Sequence, residues 1–188
     1  MLIPRTSLFY LAFVLLFLSF PSSVLSSSKK WELFYTEGDI KLYRAPENQS
    51  GIIPFKAETT YPYSFEKVLK ILTHYKDKPE WSPKLKTVKL HETIDPNTFI
   101  FSEYYRTPWP ATDREFLLLG EVRYKGPKRV DLLARSVKNK NYAHAEHIQC
   151  DVSYLNFSIN GLSDQKTRVV FEFLGDMKGW MPVWLINI

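Results

Sequence analysis

The sequence contains a single cysteine, Cys150, and only seven glycines, and these shortages exclude several classes of protein. A lone cysteine cannot form an internal disulfide, so a hydrophobic core must supply the stability of the fold. The chain has no basic helix and no glycine-rich loop, which disfavours nucleic-acid binding. It has no internal repeats, and residues 7–20 form its one long apolar run, shorter than the roughly 20 residues that span a membrane.

The first 26 residues have the pattern of an export signal. Arg5 precedes the 14-residue apolar stretch Ser7–Phe20, and Val24-Leu25-Ser26 provides a cleavage site. We expect a cleaved signal peptide over 1–26 and export to the periplasm or outside the cell, with an N-terminal membrane anchor as the alternative. Arg5 is the only charged residue of this segment, so 24 basic and 20 acidic residues remain and the net charge becomes +4. Such an excess is compatible with approach to an anionic membrane.

Residues 27–188 are predicted to form one α+β domain. Ser64 has the features of a helix N-cap, because Phe65, Val68, Leu69 and Leu72 follow it at helical spacing. Alternating apolar and polar residues between turns predict strands, and their short connections indicate an antiparallel sheet. The predicted strands are 39–44, 52–61, 84–91, 98–106, 114–124, 129–135, 145–160 and 166–174; Glu80–Pro83 is predicted as a turn and Met181–Ile188 as the start of a final helix.

A tryptophan between two prolines precedes the most apolar predicted strand. Trp109 is constrained by Pro108 and Pro110, and the strand begins with Asp113-Arg114-Glu115. Three adjacent charges beside a buried strand are costly unless they are paired. We therefore expect a structural pairing in which Arg114 satisfies both acids, with acid and base catalysis by these groups as the alternative.

The segment from His144 to Cys150 carries residues that are capable of binding a metal. In a strand, positions 144 and 147 point to opposite faces, and no second cluster completes a tetrahedral site. Cys150 lacks the surroundings of a nucleophile and is expected to be a small core residue. The sequence thus predicts neither a metal site nor a cofactor.

Three motifs in a fixed order point to a known family. They are Glu80–Val88 (EWSPKLKTV), Pro110–Leu117 (PATDREFL) and Asp176–Pro182 (DMKGWMP), the last followed by Trp184–Asn187 (WLIN). Together they resemble the START domain family of lipid-transfer proteins, and the resemblance extends loosely from Trp31 to Ile188. It implies a helix-grip fold, in which a curved antiparallel sheet surrounds a long C-terminal helix and a hydrophobic tunnel holds one lipid.

The resemblance also implies candidate residues for the tunnel. Glu103 is similar in placement to a buried acid of sterol-carrying members, whereas the matching arginine position holds Gly120, and Arg123 is the nearest substitute. We expect Glu103 and Arg123 to form the polar end and Trp109 and Trp180 to lie at the rim. The tunnel lining is predicted to include Tyr105, Phe116, Tyr154, Phe171 and Phe173.

The expected function is non-enzymatic binding, and possible transfer, of a single lipid, sterol or other hydrophobic molecule through transient membrane contact. A cyclase or hydrolase on the same fold is the alternative. The implied final helix is longer than the residues after Pro182 allow, so the domain is expected to be incomplete at its C-terminus, with a partner that covers the sheet as the alternative. A non-functional fragment is therefore a third interpretation.

Overall fold

The computed structural model describes residues 30–46 and 51–180, which form a curved antiparallel sheet and two helices. The elements are β1 (Glu32–Glu37), β2 (Ile40–Arg44), β3 (Phe55–Tyr61), α1 (Phe65–Thr73), a 3₁₀ turn (Tyr75–Asp77), α2 (Lys78–Trp81), β4 (Leu85–Asp95), β5 (Thr98–Tyr105), β6 (Arg114–Gly126), β7 (Arg129–Ser136), β8 (Ile148–Gln149), β9 (Asp151–Ser163) and β10 (Lys166–Asp176). The strand order is β1-β2-β3-β10-β9-β7-β6-β5-β4, and β8 pairs in parallel with β6. This arrangement confirms the predicted α+β class and the sheet of a helix-grip fold.

Three elements differ from the sequence prediction. Strand β1 was not predicted, because its residues are all exposed and do not alternate. The predicted turn at Glu80–Pro83 begins inside the short helix α2, which has Pro79 in its first turn, where the missing N–H costs nothing. The single strand predicted over 145–160 is wrong at its start, since residues 145–147 lie in the loop before β8.

Helix α1 covers one end of the concave face of the sheet. The Ser64 side chain accepts a hydrogen bond from the backbone N–H of Lys67 at 3.3 Å, which confirms the predicted N-cap. Phe65 and Val68 pack on a buried cluster of sheet residues, and each such burial contributes about 1.5–3 kcal/mol. That cluster consists of Val130, Ile159 and Val169.

The rest of the concave face is apolar across several strands. Cross-strand partners share a face, so the register identifies one row that runs over β6, β7, β9, β10 and β3. The row consists of Gly120, Ala134, Leu155, Phe173 and Phe55. Its smallest residues, Gly120 and Ala134, lie on β6 and β7, where the cavity described below borders the sheet.

Two predictions fall outside the described residues. They are the export signal over 1–26 and the helix that begins at Met181, together with Trp184. Within residues 30–46 and 51–180, no helix is both long enough and apolar enough to cross a membrane.

Candidate ligand-binding cavity

A cavity of about 320 Å³ lies between the C-terminal end of α1 and the concave face of the sheet. Its volume falls at the lower end of the range for small-molecule sites. Leu72 lines it from the helix, and Val122 and Leu132 line it from the sheet. The helix and the sheet thus enclose a space that is mostly apolar.

The aromatic side chains of this cavity are Phe99, Phe101 and Phe157. None of the three was singled out from the sequence. Phe99 and Phe101 alternate with Glu103 along β5, so the period of two residues could have placed all three on one face. That alternation was the signal available in the sequence.

Glu103 forms the polar end of the cavity, and its partner comes from a different element than expected. Its side chain is fully buried and forms a salt bridge with Nζ of Lys78, the first residue of α2. The Tyr105 hydroxyl donates to the second carboxylate oxygen of Glu103 at 2.9 Å. Burial and the neighbouring Glu103 charge raise the pKa of Tyr105 well above its usual value, so the phenol remains a proton donor.

Arg123 is not the basic partner of Glu103. Its guanidinium pairs with Glu121 on the exposed part of β6, with Nη2 at 2.7 Å from Oε2. The position where the resemblance implies an arginine, Gly120, does line the cavity. A Cβ there would lie 2.8 Å from the Phe99 ring and 2.9 Å from the Phe101 ring. The two rings therefore occupy the space that a larger side chain on β6 would need.

The predicted tunnel aromatics lie beside the cavity. Phe116 is buried in a second cluster with Leu118, against which Tyr105 and Phe173 pack. The Phe171 ring lies 4.8 Å from that of the cavity residue Phe157. Phe116 pairs with Glu103 and Phe171 pairs with Phe157 across the strands, so these side chains lie on the cavity face of the sheet, next to the cavity. Tyr154 is half-buried in β9 beside a register irregularity.

The predicted pairing of Arg114 with its two acidic neighbours is wrong. Successive residues of a strand point to opposite faces, so the Arg114 side chain points away from its two acidic neighbours. Arg114 is buried and donates to the backbone carbonyls of Lys178 and Trp180, both at 3.1 Å. Glu115 instead accepts from the backbone N–H of His144 at 2.8 Å and from the Gln149 side chain at 2.5 Å.

Asp113 binds the loop that carries Trp109. It accepts hydrogen bonds from the Tyr104 hydroxyl and from the backbone N–H of Thr107, the latter at 2.7 Å. Burial raises the pKa of Asp113, but these hydrogen bonds outweigh it and leave the pKa below its usual value. The aspartate is therefore an ionised anchor for the loop at neutral pH.

Trp109 is 88% exposed in this loop, and Trp180 is 66% exposed. The loop follows the end of β5 that carries Glu103. Three exposed cations line a surface groove together with Trp109, and they are Lys84, Lys86 and Arg106. The exposed Trp109 indole thus lies beside three positively charged side chains at this end of the sheet.

The structure describes the surroundings of Cys150 and of the histidines that precede it. Burial raises the pKa of the Cys150 thiol to about 12, so it is protonated at neutral pH. Within 30–46 and 51–180 no group of three or more His, Cys, Asp or Glu side chains could hold a metal ion. The rings of His144 and His147 stack on each other at 4.0 Å, and His147 stacks on Tyr104 at 4.4 Å.

A family model described as the START domain matches residues 19–188. The chain belongs to the START domain family. The match begins within the segment expected to be an export signal, and that signal stays a prediction. The range that the family model matches includes the motifs around Trp81, Arg114 and Trp180, on which the resemblance was based.

Solved structures show the same fold as this START domain. Human STARD10 superposes with a TM-score of 0.76 at 16% identity, over 84% of this chain and 65% of that one. The human StarD13 lipid transfer and protein localization domain gives 0.72 at 19% identity, over 84% and 80%. A STAR-related lipid transfer protein from Xanthomonas axonopodis gives 0.70 at 17% identity, over 84% and 88%.

The START domain also matches part of longer proteins. Ceramide transfer proteins of Xenopus laevis and Homo sapiens are each 26% identical to it over 96 residues, which is 50% of this chain. The matched segment is 16% of the Xenopus laevis protein and 15% of the human one. The chain thus corresponds to a small part of these relatives.

Proposed function

We propose that this START domain binds one hydrophobic molecule, a lipid or a sterol, in the cavity beneath α1 and transfers it between membranes. The observation that carries the proposal is a mostly apolar cavity with the ion pair of Lys78 and Glu103 at one end. Each ligand CH₂ that leaves water for such a space contributes about 0.8 kcal/mol, so an acyl chain binds without any catalytic group. The two structural relatives described above as lipid transfer proteins support the same function.

Native mass spectrometry of the chain purified from a lipid-containing host tests the binding step. We expect a one-to-one lipid adduct. Leu155→Trp, in the cavity lining on β9, should remove the adduct by filling the space, whereas Leu162→Trp on the same strand is the matched control because Leu162 is 52% exposed. A wild-type chain without an adduct, or an adduct that survives Leu155→Trp, would contradict the proposal.

We further propose that Trp109 and its cationic neighbours provide the transient membrane contact. An exposed indole suits the boundary between water and lipid, and Lys84, Lys86 and Arg106 attract an anionic surface. Co-sedimentation with vesicles of phosphatidylcholine, with and without phosphatidylserine, tests this contact. Trp109→Ala should lower binding about tenfold, the size expected from losing roughly 1.4 kcal/mol of apolar contact. Tyr124→Ala, 63% exposed at the other end of β6, should not change binding, and equal losses in the two variants would contradict the role of Trp109.

The enzyme alternative and the export signal are each tested by a separate experiment. A cyclase or hydrolase would convert a hydrophobic substrate, and substitution of Arg114 or Glu115 would stop turnover while the fold is retained.

Export from the cytoplasm is proposed from residues 1–26 and is tested by sequencing the N-terminus of the mature protein.

A further inference from the structure

The loop between β7 and β8, residues 137–147, lies on the face of the sheet away from the cavity, and we call it the strap. It contacts Tyr104 on β5 and Glu115 on β6. Tyr104 follows the cavity residue Glu103 along its strand and pairs with Glu115 across the sheet. Strand alternation therefore places both contact residues on the face opposite to the cavity.

Three of the four histidines of the chain lie where the strap meets the sheet. The His147 ring is stacked between two others, with centroids 4.4 Å from Tyr104 and 4.0 Å from His144. Tyr142 of the strap stacks on His91 of β4 at 4.7 Å. Aromatic stacking thus attaches the strap to β4 and β5.

The backbone of the strap adds little to this attachment. Among the described contacts of residues 138–147, one backbone N–H donates to the sheet, that of His144 to Glu115 at 2.8 Å. The other described backbone donors of this segment bond within the strap, as Tyr142 does to the Asn139 carbonyl at 3.2 Å. The stacked rings therefore hold a segment that few hydrogen bonds fix in place.

The stacked pair in the strap fits neutral imidazole rings. Nδ1 of His144 accepts a hydrogen bond from the Glu146 backbone N–H at 3.3 Å, and a proton on that nitrogen would break it. Nδ1 of His147 is buried without a described partner, so a proton there would have no acceptor. Protons on both rings would place two positive charges about 4 Å apart.

The surrounding charges do not reverse this preference. Asp113 and Glu115 attract protons to the rings, but none of their described hydrogen bonds comes from an imidazole nitrogen. Burial, and then Lys89, lower the pKa of His91 against the opposing effect of Glu115. The charged and titratable groups in and around the strap are Lys89 and Glu92 on β4, Tyr104 and Arg106 at the end of β5, Asp113 and Glu115 at the start of β6, and Lys138, Lys140, Tyr142 and Glu146 in the strap itself.

The strap is linked to the loop that carries Trp109. His147 stacks on the Tyr104 ring, and the Tyr104 hydroxyl donates to Asp113. Asp113 in turn accepts from the backbone N–H of Thr107, two residues before Trp109. Release of the strap would remove the ring that supports Tyr104, and the loop would lose part of its attachment.

We propose that the strap is a pH-sensitive device: protonation of its histidine contacts releases residues 137–147 from the sheet, and the release loosens the loop that carries Trp109. The proposal goes beyond the proposed function, because it assigns a regulatory role to the face of the sheet away from the cavity. Its test needs no ligand.

Hydrogen–deuterium exchange followed by mass spectrometry tests the strap on the full chain, at about pH 7.5 and 5.5. Protection is expressed relative to the intrinsic exchange rate at each pH. One extra proton on the released strap shifts its equilibrium about tenfold for each pH unit below the ordinary histidine pKa of about 6.5. Peptides over 142–147 should therefore lose protection about tenfold at the lower pH, and peptides over 106–112 should lose protection as well. Peptides around Ile159, which is fully buried in β9, should keep theirs and show that the sheet stays folded.

Variants assign the effect to the histidine rings. His91→Phe with His147→Phe keeps an aromatic ring in each stack and removes two groups that bind protons. This double variant should retain most of its strap protection at the lower pH. His74→Phe is the matched control, because His74 is exposed after α1, pairs with Asp77 and should leave the pH dependence unchanged.

Each part of the proposal has its own contrary result. Strap protection that is equal at the two pH values, or that falls equally in the wild type and the double variant, would overturn release by histidine protonation. A strap that opens while residues 106–112 keep their protection would overturn the link to the Trp109 loop. Both results leave the proposed lipid binding standing, since the lipid adduct tests that function separately.

Discussion

Lys78 and Glu103 form a salt bridge that joins the short helix α2 to β5, the strand next to the β4 edge of the sheet, with the glutamate fully buried. The contact connects positions 25 residues apart in the chain. It closes one end of the cavity and attaches the segment after α1 to β5. The same pair therefore contributes to the fold and to the proposed site.

Removal of one partner of this pair should destabilise the protein. Lys78→Met leaves the Glu103 carboxylate buried without its cation, and breaking such a pair costs about 3–5 kcal/mol. Urea unfolding followed by tryptophan fluorescence measures the change in the free energy of unfolding. Lys78→Met with Glu103→Leu should recover most of the loss. If the single and double variants lose the same free energy of unfolding, lost packing rather than the unpaired charge causes the destabilisation.

Gly120 is expected to control the volume of the cavity. In Gly120→Ala the new Cβ lies 2.8 Å from the Phe99 ring, so the ring must move or the strand must shift. Overpacking of this kind costs about 1–3 kcal/mol, and we expect weaker Nile red binding together with a lower thermal midpoint. Gly120→Ala with Phe99→Leu should restore both, because the smaller side chain frees the space. No restoration would contradict this account of the contact.

Arg114 is expected to hold the chain after β10. Arg114→Met removes the donors to the carbonyls of Lys178 and Trp180, and hydrogen bonds from a charged group contribute about 1.5–3 kcal/mol. Trypsin should therefore cleave after Lys178 faster than in the wild type, at a rate followed by mass spectrometry. Cleavage after the exposed Lys125, near the end of β6, is the internal reference. An unchanged ratio of the two rates would contradict the role of Arg114.

Stability should fall at mildly acidic pH through His91. Its Nε2 lies 2.9 Å from the Ser102 hydroxyl oxygen, and its ring stacks on Tyr142 at 4.7 Å. Burial, and then the charge of Lys89, lower the pKa of His91, against a smaller opposing effect of Glu115. The unfolded chain therefore binds the proton more readily than the folded one.

The contribution of His91 is complete above its ordinary pKa of about 6.5 and is lost progressively as the pH falls toward the lower folded value. We expect the urea midpoint to decrease between about pH 7.5 and 5.5. The decrease should be smaller in His91→Gln. If the urea midpoint changes with pH by the same amount in the wild type and in His91→Gln, the pH dependence comes from other groups.

Local patterns were sufficient to predict most of the elements. Helix α1 followed from Ser64 and the apolar spacing after it, and the antiparallel sheet followed from alternation and short turns. The helix and the sheet depend on residues that lie close together in the sequence. Glu103 was chosen from the resemblance instead, and the structure places it in the cavity lining.

Contacts between distant segments were not predictable in the same way. Nothing near Lys78 in the sequence indicates that its side chain contacts Glu103. Arg123 was chosen as the basic partner of Glu103 because it is close in the chain to Gly120, the position where the resemblance implies an arginine. Strand alternation also separates Arg114 from Glu115, which adjacency alone could not reveal. Phe99 and Phe101 were missed although their alternation with Glu103 was readable.

The pairing of β3 with β10 has a consequence for synthesis of the chain. Ala57 pairs with Phe171, so the meander of β1, β2 and β3 acquires its neighbour in the sheet only after nearly all other strands have been made. Until then one edge of β3 offers unpaired backbone groups to any other strand. Formation of such distant pairs slows folding, so the nascent chain passes through a period in which it is open to aggregation and to capture by chaperones.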